Sequence, residues 1–210
     1  KNLARECPSD ADIVVPVPDS GVPAALGYSE ESKIPFELSI IRNHYVGRTF
    51  ILPTQSNRQS SVKLKHNPDR SSIKGKSVVL VDDSIVRGTT SVKIVELMRE
   101  AGASEIHMRI ACPPIKYPDF YGIDTPETEQ LLASNKNLEE MCKYIGADTL
   151  GFLSLDGLYQ SMGCSEGRNN DNPEYTDHCF TGDYPTNLND YKSEKIQEQL
   201  SLLSENESQN

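Results

Sequence analysis

Aliphatic residues recur along the chain in short runs separated by polar turns. Ile13-Val14-Val15-Pro16-Val17-Pro18, Pro35–Ile41, Val78-Val79-Leu80-Val81, Glu105–Cys112 and Ala147–Ser154 have the length and β-branched content of strands. The unbroken run Val78–Val81 reads as a strand buried on both faces, as parallel strands are. Between these runs the period changes to helical. Ala24–Tyr28 follows the first strand, and Ile94, Val95, Met98 and Ala101 share one face of a helix over Val92–Ala101, with Gly102 placed to end it. Thr125–Ser134, Leu138–Tyr144 and Leu155–Met162 are further helical patterns, and Pro113–Asp124 is an irregular loop. Residues 1–11 are polar, with Cys7–Asp10 a loop. The order through Ser154 is β-α-β-loop-β-α-β-α-α-β. It predicts an α/β fold, a Rossmann-like parallel sheet with helices on both faces. There is no internal repeat.

After Gly163 the chain turns to Asn, Asp, Glu, Ser and Gly. We expect residues 1–162 to form the main domain and 163–210 a polar C-terminal extension. Asn169–Pro173 reads as a linker, Cys179–Pro185 as a compact turn, and about Tyr191–Asn210 as a fraying helix whose end is disordered. The net charge of −10 disfavours nonspecific nucleic-acid binding. No run approaches the ~18–20 apolar residues of a membrane span. Five scattered cysteines do not read as a disulfide framework, so a cytoplasmic location is the default expectation. His107 and Cys112 fall on opposite faces of one strand, cannot chelate one metal from it, and read as structural.

Against this acidic background one segment is basic. From 42 to 70 the chain carries Arg42, His44, Arg48, Arg58, Lys63, Lys65, His66 and Arg70, with Asp69 its only acid. So long a connection in a compact domain suggests a lid, and a cationic lid suits an anionic leaving group. Two strand-to-helix turns suit anions as well. In the first, Asp19-Ser20-Gly21-Val22, small residues allow a close ligand. In the second, Asp82-Asp83-Ser84-Ile85-Val86-Arg87-Gly88-Thr89-Thr90-Ser91, a Gly/Ser/Thr loop opens a helix beside paired carboxylates. Those carboxylates suit the cis hydroxyls of a ribose or a Mg²⁺ ion. A phosphate cup beside a diol or metal clamp implies a sugar phosphate.

The second turn resembles the signature of the type I phosphoribosyltransferases, which bind 5-phosphoribosyl-1-pyrophosphate (PRPP). Val-Asp-Asp-Ser-Ile-Val-Arg-Gly-Thr-Thr-Ser is similar, more specifically, to the glutamine PRPP amidotransferases, as are Pro18-Asp19-Ser20 and Asn43–Ile51. The resemblance runs from about Ala11 to Leu188. It implies the type I phosphoribosyltransferase fold and attack of ammonia on C1 of PRPP with loss of pyrophosphate. The product is 5-phosphoribosylamine, in the first committed step of de novo purine nucleotide biosynthesis. By that resemblance Asp82 and Asp83 hold the ribose hydroxyls, directly or through Mg²⁺ with Ser20. Ser84, Ile85, Val86, Arg87, Gly88, Thr89 and Thr90 bind the 5′-phosphate, and Ser20 and Gly21 face the pyrophosphate. Arg48 and Lys65 close over it, and Tyr45 orders the closed loop.

The resemblance further implies purine nucleotide inhibitors, a homo-oligomer when intact, and ammonia from a glutaminase domain that we expect to be absent from this chain, whose Cys7 sits on a loop. The fragment is then expected to be ammonia-dependent or inactive. Some members carry a structural iron–sulfur cluster. Asp119 and Thr176 stand here where those members have Cys, and Cys179 alone matches, so no cluster is expected. Zinc on Cys164, His178 and Cys179 has no standard spacing. Three further readings remain: a base-salvage phosphoribosyltransferase, disfavoured by Tyr45–Phe50; a non-catalytic PRPP-binding regulatory module, disfavoured by Arg48 and Lys65; and a simple nucleotide-binding domain, since purine nucleotides resemble half of the substrate.

Overall fold

The computed structural model describes residues 1–42 and 66–188. The described strands, in chain order, are β1 (Ile13–Pro16), β2 (Ile40–Arg42), β3 (His66–Pro68), β4 (Ser77–Asp82), β5 (Glu105–Ile110) and β6 (Thr149–Phe152). The helices are α1 (Asn2–Glu6), α2 (Val22–Ser32), α3 (Arg70–Ile73), α4 (Thr89–Ala101), α5 (Leu132–Asn135), α6 (Leu138–Ile145), α7 (Leu155–Ser161) and α8 (His178–Thr181).

β1, β4, β5 and β6 form one parallel sheet in the order β1-β4-β5-β6. Its register sets Ile13 beside Val78, Leu80 beside Met108, and Met108 beside Leu150. Alternate residues point to opposite faces. Val15, Leu80 and Met108 meet Ile94 and Met98 of α4 and Met141 and Ile145 of α6 on one face. Val14, Val79 and Val81 meet Leu3 and Ala4 of α1 and Ala25 and Tyr28 of α2 on the other. Leu80, Met98 and Met108 are wholly buried, and burying such a side chain contributes ~1.5–3 kcal/mol. The Rossmann-like sheet with helices on both faces is thus present as expected.

Several boundaries differ from the sequence reading, each for a packing reason. Residues 2–6 form α1, because Leu3 and Ala4 are buried against the sheet face. Pro35–Ile41 is not one strand. Pro35 O and Glu37 N bond to Val14, Phe36 bridges to Val14 alone, and the chain then leaves that edge. β2 pairs antiparallel with β3 instead, Ile41 opposite Asn67. Thr125–Ser134 yields only a 3₁₀ turn at Thr128–Gln130 and the single turn α5. Gly102 ends α4 with a left-handed φ of 98°, as expected.

The described part of the segment after Gly163, to Leu188, is fastened to the domain. Tyr159 Oη donates to Asp177 Oδ2 at 2.7 Å, and Arg168 Nε donates to the same oxygen at 2.6 Å. Arg168 Nη2 also reaches Asp183 Oδ2 at 2.7 Å. The Arg168 and Asp177 side chains are buried, and that burial is offset by charge-assisted hydrogen bonds.

Candidate active site

The two main helices after β1 and β4 lie on opposite faces of the sheet: α2 packs with Val14 and Val79, α4 with Val15 and Leu80. Neighbouring parallel strands whose helices diverge leave a crevice at their carboxyl ends, the place where ligands bind in open α/β sheets. A cavity of about 760 Å³ opens there. Its walls include Ser20 from the turn after β1, Asp82 and Asp83 at the end of β4, and the whole of Ser84–Ser91. Arg42, His66, Asp124 and Pro126 complete the rim.

The two aspartates are not equivalent. Asp82 is the last residue of β4 and only 6 % exposed, whereas Asp83 is exposed to the cavity. Asp82 Oδ1 accepts the Asp83 N–H at 2.9 Å. Burial, and then the Asp83 carboxyl beside it, push the Asp82 carboxyl well above the usual carboxylate range. The turn therefore presents Asp83 to the cavity, with a buried and readily protonated acid behind it. Cys112 lies within the influence of both. Burial, with a contribution from Asp83 and Asp82, pushes its thiol up to about 12, and Sγ donates to Pro113 O at 3.2 Å. Such a thiol is inert, in keeping with a structural role. His107 is likewise engaged by Ser77 Oγ at 3.2 Å and Thr149 Oγ1 at 3.0 Å.

The loop that follows is held from behind. Ile85 is buried in the core, and Leu132 N donates to Val86 O at 2.8 Å. Gly88 enters α4 at φ 76°, and a Cβ there would lie 2.7 Å from Leu132 Cδ2. Both conformation and space therefore call for glycine. Arg87 Nε donates to Gln130 Oε1 at 3.1 Å. Among the described residues, nothing accepts a hydrogen bond from the backbone amides of Ser84 through Thr90. A row of unused N–H groups at the positive end of a 13-residue helix is an anion cup.

Residues 1–118 match the model of the family described as "Phosphoribosyl transferase domain". The chain belongs to that family. It is 63% identical over 206 residues to the amidophosphoribosyltransferase of Rhizobium etli, covering 98% of this chain and 41% of that protein. It is 53% identical over 186 residues to that of Methanothermobacter thermautotrophicus, covering 89% and 38%. Among solved structures, it superposes with a TM-score of 0.78 at 51% identity on the glutamine PRPP amidotransferase of B. subtilis complexed with ADP and GMP. That superposition covers 89% of this chain and 41% of the other. The chain thus spans about two fifths of the length of the relatives it matches.

Within this phosphoribosyl transferase domain, the cavity gathers Ser20, Asp82, Asp83 and Ser84–Thr90, residues far apart in the sequence. Gly21 is placed differently from the sequence reading. It is buried behind the cavity wall, where a Cβ would meet Val81 O and lie 2.8 Å from Val17 O. Its small size serves the packing of the turn on β4. Tyr45, Arg48 and Lys65 lie outside the described residues. The sequence reading names Asp19 only as part of the first anion turn, places Arg42 and His66 in the basic lid, and gives no site role to Asp124 or Pro126. Arg42 Nη1 and Asp19 Oδ2 form an ion pair of 2.5 Å at the cavity rim. Arg42 was legible as part of the basic segment and Asp124 as the end of the irregular loop. Their meeting at one cavity depends on tertiary structure.

Proposed function

We propose that this chain is the phosphoribosyltransferase half of a glutamine PRPP amidotransferase, forming 5-phosphoribosylamine from PRPP and ammonia with release of pyrophosphate. The observation that carries the reading is the junction of unused amides, Ser84–Thr90, with the Asp82–Asp83 pair in one cavity at the sheet's switch point. The amide cup takes the 5′-phosphate, and Asp83 reaches the ribose hydroxyls with Asp82 behind it. Ser20 and the Asp19–Arg42 rim lie where the pyrophosphate end extends. The ammonia lone pair forms the C1–N bond as the C1–O bond breaks. The electron pair leaves with pyrophosphate, and the ammonium loses a proton to solvent. No nucleophilic side chain is needed; the work is positioning and charge stabilisation.

The oxygen donors Ser20, Asp82 and Asp83 fit a hard cation such as Mg²⁺. When bound with PRPP, Mg²⁺ neutralises pyrophosphate charge. Arg48, Lys65 and Tyr45 supply the lid in this reading. Residues 1–162 are the catalytic domain and 163–210 a C-terminal extension, whose described part is braced against that domain through Arg168 and Asp177. In the intact protein, which we place in the cytoplasm as a homo-oligomer, ammonia comes from a glutaminase domain and purine nucleotides inhibit. Support for the last point is the B. subtilis relative, solved with ADP and GMP. Among the described residues, no helix is long and apolar enough to cross a membrane.

The test is ammonia-dependent pyrophosphate release from PRPP and Mg²⁺. Asp83→Asn and Arg48→Ala should each lower turnover by ~100-fold, the scale of a removed transition-state charge contact, with unchanged far-ultraviolet circular dichroism. Wild-type turnover in both variants would overturn the site assignment.

A further inference from the structure

A second group of chemically active side chains lies outside the cavity. Asp119, His178 and Cys179 bring a carboxylate oxygen, an imidazole nitrogen and a thiol sulfur all within 4.8 Å of one another. His178 Nε2 and Asp119 Oδ2 are 3.1 Å apart, with both side chains about 5 % exposed. We propose that Asp119 Oδ2, His178 Nε2 and Cys179 Sγ form a mononuclear zinc site that clasps the 119–123 loop to α8.

Three observations carry this beyond proximity. The first is orientation. Asp119 Oδ1 accepts N–H bonds from Tyr121 at 2.6 Å and Ile123 at 3.2 Å, which fixes the carboxylate and aims Oδ2 at the imidazole. A ligating carboxylate is held in this way by outer hydrogen bonds. The second is the thiol. Cys7, Cys112, Cys142 and Cys164 each donate a hydrogen bond to an oxygen. Among the described residues, Cys179 Sγ makes none, although it is half-buried and faces two other donors. The third is spacing. Nitrogen and oxygen ligands at ~2.0–2.1 Å from a tetrahedral zinc lie ~3.3 Å apart, close to the 3.1 Å seen between His178 and Asp119.

The donor set also decides among metals. One thiolate, one imidazole and one carboxylate are zinc ligands, whereas an iron–sulfur cluster needs four ligands, chiefly thiolates, and Cys179 offers one. Cys164, considered for zinc from the sequence, instead donates to Glu174 Oε2 at 2.8 Å. On binding, the Cys179 proton leaves to solvent, Nε2 gives its lone pair to the metal, and the ring proton resides on Nδ1, which is buried without a protein partner among the described residues. Water fills the fourth position. His178 is packed against the rings of Tyr121 and Tyr184, each 5.1 Å away, which holds the imidazole in place. The clasped loop runs directly into Asp124 and Pro126 of the cavity rim.

The experiment uses the full chain, stripped by chelator and titrated with Zn²⁺ and, separately, Co²⁺. The expected result is about one zinc per chain, a higher melting temperature with zinc, and the thiolate-to-cobalt charge-transfer band of a tetrahedral site. Cys179→Ser should lose the charge-transfer band, and Asp119→Asn should weaken zinc binding by ~10–100-fold. Three results would each overturn the proposal: no zinc uptake by folded wild-type chain, a charge-transfer band that persists in Cys179→Ser, or about four irons per chain with matching sulfide. If either variant fails to fold, the wild-type titration decides alone.

Discussion

Gly21→Ala isolates the packing that builds the site. Gly21 has φ −72° and ψ −14°, a conformation open to any residue, so its requirement is for space. A Cβ would collide with Val81 O and lie 2.8 Å from Val17 O and 3.1 Å from Val17 N. All three are backbone atoms, and all three are already committed: Val17 N donates to Val81 O at 2.8 Å, and Gly21 N donates to Val17 O at 3.0 Å. Relief therefore means parting the β1 and β4 ends beside Asp82. Reduced chain entropy in the unfolded state favours Ala by ~0.4–1 kcal/mol. Overpacking costs ~1–3 kcal/mol and a weakened hydrogen bond about 1 kcal/mol. The net expected loss is ~2–3 kcal/mol, which lowers Tm by ~4–10 °C in a domain of this size. The assay is urea unfolding followed by circular dichroism, paired with PRPP titration. If Gly21→Ala unfolds at the wild-type midpoint yet no longer binds PRPP, the glycine serves the ligand and the packing argument is wrong.

Arg109 is buried and donates to Cys7 O at 2.9 Å, Pro8 O at 3.2 Å, Thr149 Oγ1 at 2.9 Å and to Ser9 Oγ. Arg109→Met should cost about 3 kcal/mol in urea unfolding by stranding those acceptors; a change under about 0.5 kcal/mol would contradict this. Arg42→Gln leaves Asp19 negative at the cavity rim, so the KM for PRPP should rise about tenfold in the pyrophosphate-release assay, and an unchanged KM refutes the placement. Asp148 Oδ2 accepts from Ile106 N at 2.6 Å and Arg99 Nη2 at 2.5 Å. Burial alone raises this carboxyl, but those hydrogen bonds outweigh it and hold it below its ordinary 3.8. A folded value below the unfolded one means stabilisation that is full above about pH 4 and fades as pH falls through the folded value. The stability gap between wild type and Asp148→Asn should therefore be widest near neutrality and close in acid; a gap constant from about pH 7 to pH 2 would refute this.

What was legible in the chain is what depends on local pattern. Val78–Val81 reads as a doubly buried strand because both faces of β4 are covered, and the helical face of Ile94, Val95, Met98 and Ala101 is the face that packs on it. Gly88 and Gly102 mark the two ends of α4. Illegible were elements whose existence depends on distant partners. α1 is five residues long, and too short a helix to persist without Leu3 and Ala4 seated on the sheet. Thr125–Ser134 has helical spacing, but Leu131 and Leu132 are drawn into the core with an extended Leu131 backbone, so helix starts only there. Asp119 and His178 are 59 residues apart, and no periodicity relates them.

The Asp82–Asp83 pair shows why such a site needs both levels of description. In sequence the two acids are interchangeable. β4 makes them different, because its period-two alternation carries Asp82 into the covered sheet while the turn throws Asp83 outward. The raised Asp82 carboxyl follows from that single step along the backbone. The same geometry depends on Gly21, whose missing Cβ lets the turn after β1 lie against Val81 O, the carbonyl just before Asp82. The first anion turn therefore acts on the second through backbone packing as well as through any shared ligand. A substitution that adds bulk at Gly21 should disturb both ends of a bound PRPP, so loss of pyrophosphate contacts and of 5′-phosphate contacts should not separate cleanly in Gly21 variants, whereas they should separate in variants of Ser20, which is exposed and lines the cavity.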